Sequence, residues 1–153
     1  MLPAETLTAV VSGREITLNN PGRPAVFIFH GQDTGSAAIE VNNTVREAYP
    51  TAAEVLIASV IDLRQFPAMF QGMIKPELEK AYHKAAGKLP EGADATELIV
   101  LLPDWKGATH DACAVENSTK QAAVIVADAN GKIIATVQGE NLGAAVVTAL
   151  QQG

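Results

Sequence analysis

The chain has 153 residues, with 11 Lys and Arg, 17 Asp and Glu, and a single cysteine. Apolar residues make up 48% and charged residues 18%, a composition that supports a folded core and argues against disorder. The net charge of −6 argues against nucleic acid as a partner, because phosphate binding requires clustered Lys and Arg. The longest apolar run, 122–127, is far shorter than the ~20 residues that span a membrane. We expect one domain over residues 1–153 and no membrane partner.

The start of the chain and its cysteine content bear on location and cofactors. Residues 1–5 hold neither the basic nor the apolar region of a secretory signal. A lone thiol fits a reducing compartment, and it allows no internal disulfide, CxxC pair or multi-cysteine zinc site. The three histidines, His30, His83 and His110, form no metal-ligand spacing. We therefore expect a cytoplasmic protein without a metal or cofactor.

The first half of the chain predicts a hairpin, two buried strands and a helix. Residues 6–11 and 14–18 predict two short strands joined by a turn at Ser12-Gly13. The apolar runs 25–29 and 55–61 predict strands buried on both faces. Apolar residues recur at helical spacing between these strands, and three competent N-caps precede them: Asp33, Thr34 and Ser36.

The second half predicts two more buried strands. Pro76 suits the first position of a helix that ends at Gly87. Residues 97–102 and 122–127 predict strands, and the segment between them predicts a short helix around 111–117.

The end of the chain predicts a hairpin and a closing helix. The turn 128–131 joins the preceding strand to 132–137, and 142–150 has helical periodicity. Strands that alternate with helices predict a parallel-rich sheet covered on both faces, with the last hairpin as an antiparallel edge. The fold class is therefore α/β.

Three motifs carry a family resemblance. Residues 12–18 match a G-x-x-x-x-L hairpin, residues 22–29 a G-K-P-x-V-x-x-F entry to a central strand, and residues 125–133 an I-D-x-x-G-K-I hairpin. In this order they resemble the thioredoxin-like superfamily, in the branch of redoxins, peroxiredoxins and TlpA-type proteins, over roughly Thr6 to Gln152. The resemblance implies a thioredoxin-like three-layer sandwich: a central mixed sheet, an N-terminal β-hairpin, and a C-terminal β-hairpin plus helix.

The chain departs from this family at its reactive positions. The place of the CxxC motif, directly after the central strand, holds Thr34-Gly35-Ser36-Ala37. The peroxidatic cysteine of a peroxiredoxin, which follows a threonine by three residues, corresponds to Ala37. The family's cis-proline corresponds to Ala122, and the peroxide-binding arginine is missing as well. The resemblance therefore implies a degenerate cleft formed by Asp33, Thr34, Gly35, Ser36, Ala37 and Ala122.

These losses bear directly on the chemistry. Thiol exchange requires a thiolate and a second sulfur to resolve the mixed disulfide. A hydroxyl offers no accessible anion near neutral pH unless a base lies beside it. We predict a redox-inactive protein that acts as a binding or interaction module, with another protein or a second copy of the chain as its partner.

Two enzymatic alternatives remain open. Cys113, the only thiol, is either a small buried apolar residue or the reactive group of a single-cysteine oxidoreductase that uses an external thiol. Thr34 or Ser36 either caps the helix or binds an anion such as glutathione at the helix N-terminus. A triad built on Ser36 lacks a nucleophile-elbow sequence.

One segment is unusually apolar for a loop. It contains Phe66, Met69, Phe70, Met73 and Ile74. These side chains either cover a face of the sheet or form an exposed patch for a partner. Trp105, at a strand exit, belongs either to the same surface or to the edge of the core.

Overall fold

The computed structural model describes residues 1–153 as a central sheet with helices and a separate hairpin. The strands are β1 (Thr6–Thr8), β2 (Glu15–Thr17), β3 (Ala25–His30), β4 (Leu56–Asp62), β5 (Leu101–Asp104), β6 (Ala123–Ala127) and β7 (Ile133–Gln138). The helices are α1 (Gly35–Ala48), α2 (Gln71–Ala86), α3 (Ala95–Leu98), α4 (Ala108–Ala112) and α5 (Gly143–Gln152). Single 3₁₀ turns at Gln32–Thr34 and Ala68–Phe70 precede α1 and α2.

The central sheet has the order β5-β4-β3-β6-β7. Strands β3, β4 and β5 are mutually parallel, whereas β6 pairs antiparallel with β3 and β7 antiparallel with β6. Strands β1 and β2 form their own antiparallel hairpin. The predicted α/β class, with a parallel-rich sheet and an antiparallel terminal hairpin, is confirmed.

Strand β3 lies at the centre because apolar side chains point from it in both directions. All six of its residues are buried. Phe27 and Phe29 belong to a cluster of 16 buried residues that also takes in Leu18 from just after β2. Val26 and Ile28 belong to a second cluster of 12 residues, to which α1 and α5 contribute. The sheet therefore has a hairpin face and a helix face, as the unbroken apolar run 25–29 predicts.

The edge of the sheet at β5 is covered. The backbone N–H of Val10 donates to the carbonyl of Leu101 across 2.9 Å, so the N-terminal segment continues the sheet for one hydrogen bond. Pro103 lies in β5, which is an outer strand of the five. Proline has no N–H to give to a ladder, so it fits an edge strand and not a central one.

Helix α2 begins earlier than predicted. It starts at Gln71, so Pro76 lies inside the helix and not at its first position. Proline lacks an N–H and therefore removes one i to i−4 hydrogen bond, here to the carbonyl of Gly72. The helix is maintained by packing: Leu78 is buried in a third apolar cluster, and Ile74 packs against that cluster. Gly87 caps the helix at the predicted end.

Two further element predictions were wrong in their boundaries. The strand predicted at 97–102 begins at Leu101, because Asp94 accepts a hydrogen bond from the Thr96 N–H and caps the short helix α3. The helix predicted around 111–117 is α4, which ends at Ala112. No helix in the structure combines the length and the apolar character that crossing a membrane requires.

Candidate functional site

The loop after β3 leads into α1 at the place where the sequence analysis located the degenerate cleft. The hydroxyl of Thr34 is buried and fully used within the protein. It accepts a hydrogen bond from the Gly31 N–H at 2.9 Å and donates to the Ser118 carbonyl at 2.6 Å. None of the three predicted N-caps makes a side-chain capping bond to α1. Asp33 and Ser36 are instead exposed.

A second segment of the chain lies directly against this loop. A Cβ built on Gly31 would come within 2.6 Å of Thr119 Cγ2 and 3.0 Å of Thr119 Cα. Only glycine fits at position 31 without displacing backbone there. Ala122 is 1% exposed and precedes β6, whose Ala123 pairs with Phe29. Ala122 therefore lies next to the end of β3, and no peptide bond in the chain is cis.

A buried relay of polar side chains lies behind this loop. His110 Nδ1 is 2.8 Å from Asp104 Oδ2, and His110 Nε2 is 2.8 Å from Ser118 Oγ. These three residues are 4% exposed or less. The His110 ring also packs edge-on against Phe29, with 5.1 Å between centroids. The Ser118–His110–Asp104 geometry resembles that of a hydrolytic triad, but its hydroxyl is enclosed and no substrate can reach it.

Sequence reasoning missed this relay. Asp104 closes β5, and its carboxylate accepts hydrogen bonds from the backbone N–H groups of Thr109 and His110. An aspartate directly after an apolar strand and shortly before a helix is the local signal that could have revealed this part of the relay. Ser118 lies in irregular backbone and offers no comparable signal.

The pKa shifts of two buried aspartates agree with the hydrogen bonds that their carboxylates accept. Burial raises the pKa of the Asp104 carboxyl, but the hydrogen bonds from His110 and Thr109 outweigh burial and hold that pKa below its usual value. Asp62 behaves alike: burial opposes ionisation, and the hydrogen bonds from Arg64 lower its pKa overall. Arg64 also bonds to Asp111 in α4 at 2.8 Å. The carboxylates at the ends of β4 and β5 are therefore both ionised and paired.

Cys113 lies on the hairpin face of the sheet, whereas α1 covers the helix face. It is half-buried and packs against the cluster that contains Phe27. Burial raises the pKa of its thiol to about 11, and the negative charges of Glu5 and Asp104 act in the same direction. These surroundings are the opposite of the cationic setting that activates a catalytic cysteine.

A cavity of about 330 Å³ opens beside the loop on the helix face. The end of β3 and the start of α1 contribute His30, Gly31, Gln32 and Gly35 to its lining, and α2 closes the other side. Of the predicted cleft residues, only Gly35 lines this cavity. No three His, Cys, Asp or Glu side chains lie close enough together to hold a metal ion.

The apolar segment before α2 divides into two parts. Phe66, Ile74 and Trp105 are partly buried and pack against the cluster around Leu78. Three side chains remain exposed: Met69 at 81%, Met73 at 68% and Phe70 at 44%. The core therefore uses part of the predicted interaction surface, and the exposed part remains a predicted contact surface.

No family model and no curated protein sequence matches this chain. Among solved structures, StoA from Bacillus subtilis is similar, with a TM-score of 0.63, 14% identity, and coverage of 97% of this chain and 98% of StoA. The exposed lipoprotein thioredoxin Etrx1 from Streptococcus pneumoniae gives a TM-score of 0.64 at 16% identity, covering 97% and 98% of the two chains.

A secreted disulfide oxidoreductase of Mycobacterium tuberculosis gives a TM-score of 0.57 at 16% identity, covering 98% of this chain and 96% of that one. Identities this low establish the fold alone. The fold is thioredoxin-like, as the resemblance implied. The chain combines this fold with one cysteine and therefore has no CxxC motif.

Thiol labelling checks the surroundings of Cys113. A shift of the pKa from 9.0 to about 11 leaves the folded protein with about 100-fold less thiolate at pH 8. We expect iodoacetamide to react about 100-fold more slowly with the folded chain than with the same chain unfolded in urea. Equal rates, or a labelling profile that titrates below pH 9, would contradict this environment.

Substitutions in the buried relay should destabilise the fold. Ser118→Ala leaves His110 Nε2 without a partner, and Asp104→Asn weakens three hydrogen bonds. We expect each to lower the free energy of unfolding by about 1–3 kcal/mol at pH 7. Glu91→Gln, at an exposed side chain that makes no hydrogen bond or ion pair, is the control and should change it by less than about 0.5 kcal/mol.

The pH dependence of Asp104→Asn gives a second readout. The folded-state pKa of Asp104 is depressed, so its stabilising contribution is present above the ordinary pKa of 3.8 and is lost as the pH falls through the folded-state value. The deficit of the variant, measured by denaturant unfolding, should therefore be largest at neutral pH and shrink below pH 3.8. A deficit that stays constant with pH would show that Asp104 is not ionised in the folded protein.

Proposed function

We propose that this chain is a thioredoxin-fold binding module that performs neither dithiol exchange nor peroxide reduction. The observation that carries the proposal is the position of its only sulfur nucleophile. Cys113 packs on the hairpin face, and no sulfur occupies the loop that enters α1. The solved structures of similar fold include thiol-disulfide oxidoreductases, and the chemistry of that class requires two sulfurs.

The hydroxyls of the loop give no replacement nucleophile. The Thr34 hydroxyl already donates to the Ser118 carbonyl and accepts from the Gly31 N–H, so its oxygen is not available to attack a substrate. Ser36 is exposed and has no hydrogen-bonded base beside it. The same contacts weigh against glutathione at this helix N-terminus, where the exposed carboxylate of Asp33 would also repel an anion.

The contact surface that we propose for a protein partner or a second copy combines the loop with the exposed side chains of Met69, Phe70 and Met73. Large exposed apolar side chains that lie close in sequence are uncommon on a surface that stays in water. Methionine is flexible and polarisable and packs well against varied partners. Phe66 and Ile74, which flank these residues in sequence, pack against the cluster around Leu78 and hold the segment on the protein.

Insulin reduction and hydrogen peroxide consumption test the chemical half of the proposal. We expect the wild-type chain with dithiothreitol to show no acceleration over buffer, because it has neither a low-pKa thiolate nor a resolving sulfur. Cys113→Ser is the matched control. Clear turnover by the wild type that Cys113→Ser abolishes would replace this proposal by the single-cysteine oxidoreductase.

Charge substitution tests the binding half. We expect the complex between the chain and its partner or second copy to be lost in Met69→Glu/Met73→Glu, because burying two carboxylates at an apolar contact is costly. Ile39→Glu, at a side chain that is 63% exposed on α1, is the matched control and should preserve the complex. Sedimentation velocity and co-purification from the native source measure the outcome. A wild-type chain that is monomeric and without a partner would contradict the proposed surface.

A further inference from the structure

The cavity beside the loop has the size and lining of a small-molecule site. Its volume of about 330 Å³ lies within the range of roughly 300–1,000 Å³ found for ligand pockets. Seven of its twelve lining residues are hydrophobic, so most of an occupant's surface would meet apolar side chains. The apolar walls come from β4, β5, α2 and the segment between them: Ile61, Leu63, Phe66, Ile74, Leu78 and Leu101.

One polar side chain in this wall has an unused hydrogen-bonding atom. His30 is buried, with only 9% of the residue exposed. Its Nδ1 lies 2.9 Å from the Gly31 carbonyl, which can only accept, so Nδ1 carries the proton. In the neutral ring Nε2 is then an acceptor. Burial lowers the pKa of His30 by more than the hydrogen bond to the Gly31 carbonyl raises it, which favours that neutral form.

His30 lines the cavity, and its Nε2 is not sealed in the core. It makes no hydrogen bond within the protein. Arg46 is the only residue with side-chain nitrogens that are both fully enclosed and without a hydrogen-bond partner. Because His30 Nε2 has no partner either, it must keep some accessible surface. An unpartnered acceptor in an apolar wall selects a ligand that supplies a donor, because an occupant without one would leave that acceptor desolvated and unpaired.

The charges around the cavity select against an anion. No Lys or Arg lines it, and its one carboxylate, Glu77 on α2, is exposed at the rim and paired with Lys80 at 3.6 Å. A peptide strand added at the β5 edge would find the carbonyl of Leu101 already occupied by the Val10 N–H, which weighs against an extended peptide as the occupant. A cation would lose its hydration between the apolar walls, so the favoured occupant is compact, neutral and mostly apolar.

We propose that this cavity binds a neutral, largely apolar alcohol or phenol whose hydroxyl donates a hydrogen bond to His30 Nε2. The ring or alkyl part of the ligand packs between the apolar residues of β4 and α2. The site shares the loop with the proposed contact surface but uses none of Met69, Phe70 and Met73, and it does not depend on whether the chain reduces disulfides. A failure to bind such a ligand would therefore leave the proposed function unaffected.

A matched pair of probes tests the recognition. 2-Naphthol and naphthalene differ by one hydroxyl, and binding of each is followed through the backbone amide shifts of Gly31, Gln32 and Gly35 in ¹H–¹⁵N spectra. We expect 2-naphthol to bind the wild-type chain about tenfold more tightly, the effect of one hydrogen bond. Equal affinities, or no binding of either probe up to its solubility limit, would overturn the proposal.

Variants then assign the preference to His30. His30→Leu should abolish the difference between the two probes, and a preserved difference would overturn the role of Nε2. Gly35→Trp keeps the test decisive if the His30 variant fails to fold. A Cβ at Gly35 meets no atom within 4 Å and its φ of −61° suits any residue, so the indole can fill the cavity mouth without backbone strain.

We expect Gly35→Trp to weaken both probes at least tenfold. Gly72→Trp is the matched control, because position 72 is equally open but does not line the cavity, and both affinities should stay unchanged. Unaltered binding in Gly35→Trp, or an equal loss in Gly72→Trp, would place the bound probe elsewhere and overturn the proposal.

Discussion

The hydrogen-bonded relay from Asp104 through His110 to Ser118 determines how the end of the sheet is built. It joins β5 to α4 and to the irregular segment before β6. Both of these segments lie at the carboxyl ends of the parallel strands, where Asp111 bonds to Arg64 and Thr119 contacts Gly31. The members of the relay are buried, and each has a hydrogen-bond partner, so the cost of removing them from water is offset. Through the carbonyl of Ser118 the same relay holds Thr34. Polar contacts therefore fix the loop that enters α1 from the side of the relay.

The thioredoxin-like fold places a helix N-terminus where a thiol would be activated, and this chain uses that position differently. The Thr34 hydroxyl donates a structural hydrogen bond to the Ser118 carbonyl, while Cys113 lies on the opposite face of the sheet. A helix N-terminus lowers a thiol pKa, whereas burial beside carboxylates raises it. The same electrostatic principles that make a redoxin reactive thus keep this thiol protonated. What remains at the end of β3 is a shaped, mostly apolar cavity with one basic nitrogen.

The sequence predicts the elements whose signals are local. The apolar run 25–29 and the turn 128–131 specify a central strand and a hairpin regardless of what surrounds them, and both are confirmed. The missing sulfurs can likewise be read directly from positions 34–37. Pro76 shows the limit of a local rule: proline favours a helix start, but packing of Ile74 and Leu78 carries α2 past it.

The polar relay and the cavity could not be predicted, because both depend on residues brought together by tertiary structure. His110 and Ser118 are eight residues apart in a segment without periodicity, and their contact requires the chain to turn between α4 and β6. The tautomer of His30 depends on the direction of the Gly31 carbonyl, which no residue pattern encodes. Met69 is exposed because the cluster around Leu78 takes in Phe66 and Ile74 but not Met69, and the sequence does not show which of these side chains the core buries.

The bond from Thr34 to Ser118 also constrains how such a sequence can evolve. A thiol is a weak donor, so cysteine at position 34 would release the Ser118 carbonyl inside the protein and strain the relay that Ser118 shares with His110. Placing a CxxC motif at positions 34–37 would therefore cost more stability than two surface substitutions, because a buried carbonyl would lose its hydroxyl donor.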